Sequence, residues 1–151
     1  MLKLKSVATL VSVAALAFCV VTPTFAQSLA QRERYASEDK RLSEQYAKPT
    51  MNKCKININV RLDWSTFKDE SPPDNIAPSS HCGAALEGIS DLCSVSEDAM
   101  KAVQNKVTGV TCKEAPPGGL SFENGVLVYG IDFKNDANVR ENVRKFLMEK
   151  L

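Results

Sequence analysis

His81 and Cys82 stand side by side, the two residue types that a thiol hydrolase uses as base and nucleophile. Neighbours on a helix project about 100° apart, however, and a sulfur held in a disulfide attacks nothing. Cys–His chemistry is therefore not expected, and His81 is placed near a helix N-terminus at the surface. It is the only histidine in the chain. A Ser–His–Asp site would have to use it, and no G-x-S-x-G segment accompanies it.

Carboxylates are the next candidates, because two acids suffice to hydrolyse a glycosidic bond. Asp63, Asp69, Glu70, Asp74, Asp132 and Asp136 could contribute, but none sits in a motif. The run Asp132, Asn135, Asp136 and Asn138 has the residue types of a calcium site. It lacks the spacing and terminal Glu of an EF-hand loop, and a strand end followed by a helix cap accounts for it. With no C-x-x-C pair there is no zinc or redox motif. No glycine-rich phosphate loop appears either, so neither a metal nor a cofactor is expected.

These residues must be positioned by elements, and the cysteines bound what those elements are. Residues 1–26 read as a secretory signal peptide: Lys3 and Lys5 open it, Val7 to Val21 is mostly apolar, and Thr24-Phe25-Ala26 offers a cleavage site. The apolar run is short of the roughly 20 residues that a membrane span needs. Cleavage before Gln27 removes Cys19 and leaves Cys54, Cys82, Cys93 and Cys112. Four cysteines in an oxidising compartment predict two disulfides. Losing Lys3 and Lys5 also leaves 17 basic against 18 acidic residues, a net charge of −1. Nucleic acid and anionic membrane are therefore not expected as partners.

The segment 27–50 is polar and helix-prone; Leu29, Ala36, Leu42 and Tyr46 are sparse for an apolar stripe. It predicts a solvated helix or loose tail, ended by Pro49, ahead of a single domain over 51–151. Between Cys54 and Trp64 the chain alternates strictly. Cys54, Ile56, Ile58, Val60, Leu62 and Trp64 are apolar, whereas Lys55, Asn57, Asn59, Arg61 and Asp63 are polar. This period of two predicts a strand with one buried face. The proline-rich stretch 65–80 predicts a long irregular loop.

From Ser79 the period becomes helical: Cys82, Ala85, Leu86, Ile89, Leu92 and Cys93 share a face, although Gly83 and Gly88 weaken the propensity. A second helix is expected from a Ser94/Glu97 capping box, burying Ala99, Met100, Val103 and Val107. Thr108, Val110 and Cys112 alternate as a second strand. Asn124-Gly125 is the preferred pair of a two-residue hairpin turn, which sets Phe122 opposite Leu127 and Leu120 opposite Tyr129. A last helix, with Asn138 and Glu141 at capping-box spacing, carries Val139, Val143, Phe146 and Leu147 on one face.

Cys82 and Cys93 lie on one helix face but about 16 Å apart at the helical rise. A disulfide needs Cα atoms within about 7 Å, so each must bond a strand cysteine, Cys54 or Cys112. Cys54–Cys82 with Cys93–Cys112 is the more local of the two remaining pairings and is the one expected. The fold class is α+β: an antiparallel sheet of three or four strands, helices on one face, pinned by two disulfides.

An open sheet face would then present Lys55, Asn57, Asn59 and Arg61, with Val126 and Val128 from the hairpin as an apolar centre. The functional expectation is an exported, periplasmic or secreted, non-enzymatic interaction module. Its partner would be another envelope or secreted protein, in the manner of an inhibitor or immunity protein for an envelope hydrolase or toxin. The alternatives are a small carboxylate-dependent hydrolase using the 65–80 loop, and a small-ligand carrier with a pocket between sheet and helices. A deep apolar cavity under Trp64 would favour the carrier.

Overall fold

The computed structural model describes residues 28–68, 77–135 and 137–151. The signal-like segment and Asp69, Glu70, Asp74 and Asp136 lie outside them. The chain opens with a continuous helical stretch in three parts: α1 (Leu29–Arg41), a π-helical stretch (Leu42–Ala47) and α2 (Lys48–Cys54). Ser28 caps it, its hydroxyl oxygen accepting from the Gln31 amide at 3.2 Å.

Pro49 does not end this helix. A proline ring collides with the carbonyl four residues back in α geometry and supplies no N–H. Just before it the chain widens into π geometry, and the Lys48 amide donates five residues back to Ser43 O. The π stretch also shifts the helix phase. Leu42, Ala47, Thr50 and Cys54 all end up buried, although no α-periodic stripe joins them. The second half of the stretch is thus part of the core.

The alternation over 54–64 holds in burial but not in strand pairing. Cys54, Ile58 and Leu62 are buried, while Lys55, Asn57, Asn59 and Arg61 are exposed. Only Asn59–Leu62 forms strand β1. Cys54 is the last residue of α2, and Lys55 follows it in the left-handed conformation at φ 55°.

The sheet is mixed, in the order β1-β2-β4-β3, which corrects the antiparallel expectation. A 3-10 turn (Trp64–Thr66), α3 (Pro78–Leu92) and α4 (Glu97–Lys106) separate β1 from β2 (Gly109–Glu114). A helical crossover of that length returns the chain parallel, and β1 pairs β2 from Asn59↔Gly109 to Leu62↔Cys112. After β2, Pro116 and Pro117 have no N–H to continue a ladder. β3 (Gly119–Glu123) does not pair with β2. The hairpin brings β4 (Val126–Ile131) into the gap, parallel to β2 and antiparallel to β3. Its register is the expected one, Phe122↔Leu127 and Leu120↔Tyr129. Asn124 and Gly125 both have positive φ, at 51° and 82°.

α3 supplies the expected face, with Cys82, Ala85, Leu86, Ile89, Leu92 and Cys93 all buried. The disulfides, however, are Cys54–Cys93 and Cys82–Cys112, not the more local pairing. The reason is the path of α2. Thr50 donates its hydroxyl to Leu86 O at 3.2 Å, so α2 and α3 lie side by side with their last residues level. Cys54 thus meets Cys93 at a Cα separation of 5.5 Å, which leaves Cys82 facing Cys112 on β2 at 5.8 Å. The helical cysteines do not bond each other, as expected, but the partner of Cys93 is helical and not a strand cysteine.

Two caps also differ. Ser96, not Ser94, caps α4 by accepting from the Ala99 amide at 3.1 Å; the Ser94 hydroxyl donates to Ser90 O instead. Asn138 precedes α5 (Val139–Lys150) with left-handed φ 61° and no side-chain cap bond, and Glu141 turns to Arg144. The stripe of α5 is as read: Val139, Val143 and Leu147 are buried and Phe146 packs beside them. No helix among the described residues is long and apolar enough to cross a membrane.

A candidate binding cleft at the carboxyl ends of the parallel strands

β1, β2 and β4 run in one direction, so their carboxyl ends emerge at one edge of the sheet. Open parallel α/β sheets hold their ligands outside the carboxyl ends of the strands. The residues arriving there are Trp64 after β1, Glu114 at the end of β2, and Asp132 with Phe133 after β4. Together with α1 they enclose a cleft of about 940 Å³.

Its apolar wall is a row of aromatic rings drawn from three parts of the chain. Tyr35 of α1 stacks on Trp64 with ring centroids 4.0 Å apart and planes 10° from parallel. Phe67 tilts against Trp64 at 5.1 Å and against Phe133 at 6.2 Å. His81 meets the Phe133 ring edge-on at 5.2 Å, which gives it a packing role at the end of the row. Geometries of this kind add to the burial of each ring. The indole N–H of Trp64 donates to both carboxylate oxygens of Asp39 at 3.1 Å, which fixes the ring against α1.

The acids of the cleft are held by hydrogen bonds. Glu114 accepts from the Lys68 amide at 2.9 Å, and its own amide donates to the Thr66 hydroxyl at 3.0 Å. That hydroxyl donates in turn to Asp63 O at 2.7 Å, so the 3-10 turn is stitched to the end of β2. Asp132, only 5% exposed, accepts from the Lys134 amide and from Asn135 Nδ2. These bonds, the Asn135 side chain foremost, and the nearby Lys134 charge hold its carboxyl below the usual carboxylate range.

Three cations line the same cleft: Arg34 of α1, Lys68 after the 3-10 turn, and Lys134 after β4. All three are exposed. Among the described residues none is within ion-pair distance of a carboxylate; the pairs that exist lie on α3, α4 and α5.

The sheet face expected to bind is brought together in part. The register sets Asn59 in line with Val126, and Arg61 in line with Thr111 and Val128, all on one side of the sheet. Arg61 Nε donates to the Thr111 hydroxyl at 3.2 Å, and Val126 and Val128 are half-buried. Lys55 and Asn57 precede β1 and are not on the sheet. The carboxylates of the 65–80 loop proposed for hydrolysis fall outside the described residues, and Asp63 accepts from the Ser65 hydroxyl at 2.6 Å. The Cys82 sulfur is bonded to Cys112 and is no nucleophile. Among the described residues no three His, Cys, Asp or Glu side chains are grouped to hold a metal ion.

Apart from Trp64, the aromatic row was not foreseeable as a unit. Its members span positions 35 to 133, and only the parallel strand ends make them neighbours. No protein-family model matches the chain, and neither does any curated protein or solved structure.

Proposed function

We propose that this is an exported binding module that takes its ligand into the aromatic cleft. The observation that carries the proposal is the row Tyr35, Trp64, Phe67 and Phe133, opening on a cleft of about 940 Å³ at the carboxyl ends of three parallel strands. Sites for small ligands are concave, mostly apolar, and commonly about 300–1,000 Å³, with a few polar groups to set orientation. A carrier is thus supported by a cleft beside Trp64 between the carboxyl ends of the strands and helix α1. Export is supported by the signal-like residues 1–26 and by two disulfides, which persist in oxidising compartments.

Native mass spectrometry of the protein recovered from its own compartment tests the proposal. The wild type should carry an added small mass that Trp64→Ala, with its disulfides intact, does not. Equal loading of both proteins, or an empty wild type, would count against the cleft.

A second reading is protein docking on the sheet face, as in an inhibitor or immunity protein for an envelope hydrolase or toxin. It is favoured by one observation, the alignment of Asn59 and Arg61 with the half-buried Val126 and Val128.

A further inference from the structure

We infer that the ligand of the cleft is a small amphipathic anion: an apolar body bearing one carboxylate or an equivalent negative group. The inference rests on the cleft being the binding site and concerns what the cleft selects. The aromatic row gives the surface for an apolar body. The charged groups around it are not equivalent.

Both acids in the lining are already engaged. Glu114 accepts a backbone N–H, and Asp132 accepts one backbone and one side-chain N–H. Asp39, just behind the row, has both oxygens on the Trp64 indole. Arg34, Lys68 and Lys134 differ: they come from three separate elements, converge on one cleft and are exposed there without a carboxylate in ion-pair reach among the described residues. The described lining thus carries three cations against two carboxylates, each of which already accepts an N–H, although Lys134 also acts on Asp132. A ligand that supplies acceptors and negative charge meets the excess of cations in this lining. Charge-assisted hydrogen bonds from Arg or Lys to a carboxylate are stronger than neutral ones. The cleft volume, about 940 Å³, suits a single small molecule.

The chain has one tryptophan, so its amide–nitrogen correlation spectrum contains a single indole N–H signal, that of Trp64. Three probes with the same ring system isolate charge: 2-naphthoate, neutral 2-naphthalenemethanol and cationic 2-naphthylmethylamine. Each is titrated into the purified disulfide-bonded protein, following the Trp64 indole signal and measuring affinity by calorimetry. The naphthoate should shift the signal and bind at least about tenfold more tightly than the alcohol, the scale of one charge-assisted contact. In the triple variant Arg34→Gln, Lys68→Gln, Lys134→Gln the alcohol should bind as before, and the advantage of the naphthoate should vanish. Raising the salt concentration should shrink the same advantage in the wild type.

Equal binding of naphthoate and alcohol, or tighter binding of the amine, overturns the anion preference and leaves the cleft as the binding site. A naphthoate advantage that survives the triple substitution overturns the assignment of its cause to these cations. If no probe moves the Trp64 indole signal, the cleft itself is not the site, and the reading on which the inference rests falls with it.

Discussion

The Trp64 indole N–H donates to both oxygens of Asp39, so the end of β1 is held to α1 across 25 residues of sequence. Helix α1 has no buried residue of its own. It is tied to the domain by this bond, by the stacking of Tyr35 on the same indole and by the Ser79 amide of α3, which donates to the Glu38 carboxylate at 3.0 Å. Asp39→Ala should therefore cost only about 1 kcal/mol of stability in a denaturant titration. It should also move the Trp64 fluorescence to longer wavelength and weaken whatever the cleft binds. An unchanged emission spectrum would show that α1 does not depend on this contact.

Disulfide mapping has a definite expectation. Non-reducing digestion should release peptides joining Cys54 to Cys93 and Cys82 to Cys112, and alkylation without reductant should label nothing. The two bonds close loops of 39 and 30 residues, so reducing either should destabilise the fold by about 4 kcal/mol in the chain-entropy model.

Two helical glycines of α3 behave in opposite ways on paper and in place. Alanine is normally favoured over glycine inside a helix by about 0.5–1 kcal/mol. At Gly83, though, a Cβ would come within 2.4 Å of the Tyr46 ring, and at Gly88 within 2.5 Å of the Arg140 carbonyl oxygen. Both alanine substitutions should destabilise, by about 1–3 kcal/mol. Gly83→Ala should be partly rescued by Tyr46→Ala, whose ring is the obstacle. Gly88→Ala should be the worse of the two and resist rescue, because backbone of α5 cannot be trimmed. Thermal melts of the singles and the double decide this.

The two sides of β1 should separate stability from binding. Ile58 is 5% exposed, and Ile58→Ala should cost about 3 kcal/mol. Arg61 is exposed and, among the described residues, bonds only the Thr111 hydroxyl, so Arg61→Glu should stay within about 0.5 kcal/mol of wild type. If a protein partner docks on the sheet face, Arg61→Glu should abolish its capture while Lys55→Glu, whose residue is off the sheet, should not. Capture unaffected by Arg61→Glu would leave that face as solvated surface.

Acid should weaken the fold through α5. Arg144 holds both oxygens of Glu141, at 2.8 and 2.7 Å, and with help from Lys145 lowers its carboxyl from the usual 4.5 to about 2. A carboxyl depressed by folding adds stability in full above 4.5 and loses it as pH falls towards about 2. Asp91, lowered chiefly by its bond to Arg140, acts in the same sense. The melting temperature should therefore drop through this window in the wild type and drop less in Arg144→Gln.

Much of the fold is legible from local pattern because local pattern reports burial. The hairpin register follows from Asn124-Gly125, and the faces of α3 and α5 follow from their spacing. Burial, however, does not specify pairing. Alternation over 54–64 is satisfied equally by a helix end, an extended segment and four strand residues, so it overstates the length of β1. Strand direction depends on the crossover through α3 and α4, and the disulfide pairing on α2 lying level with α3; both are tertiary facts. The cleft is legible least, since Tyr35, Trp64, Phe67 and Phe133 share no period and meet only where parallel strands end.

The two disulfides are interleaved: the loop from Cys54 to Cys93 overlaps the loop from Cys82 to Cys112. A protease that severs the backbone once between Cys54 and Cys82 leaves fragments joined through 54–93. A cut between Cys93 and Cys112 leaves them joined through 82–112, and a cut between Cys82 and Cys93 leaves them joined through both. The more local pairing would have come apart at that middle position. As bonded, the molecule survives any single nick across this whole span as one covalent piece. In an exported protein, the proposed location of this one, such an arrangement would outlast a single proteolytic cut.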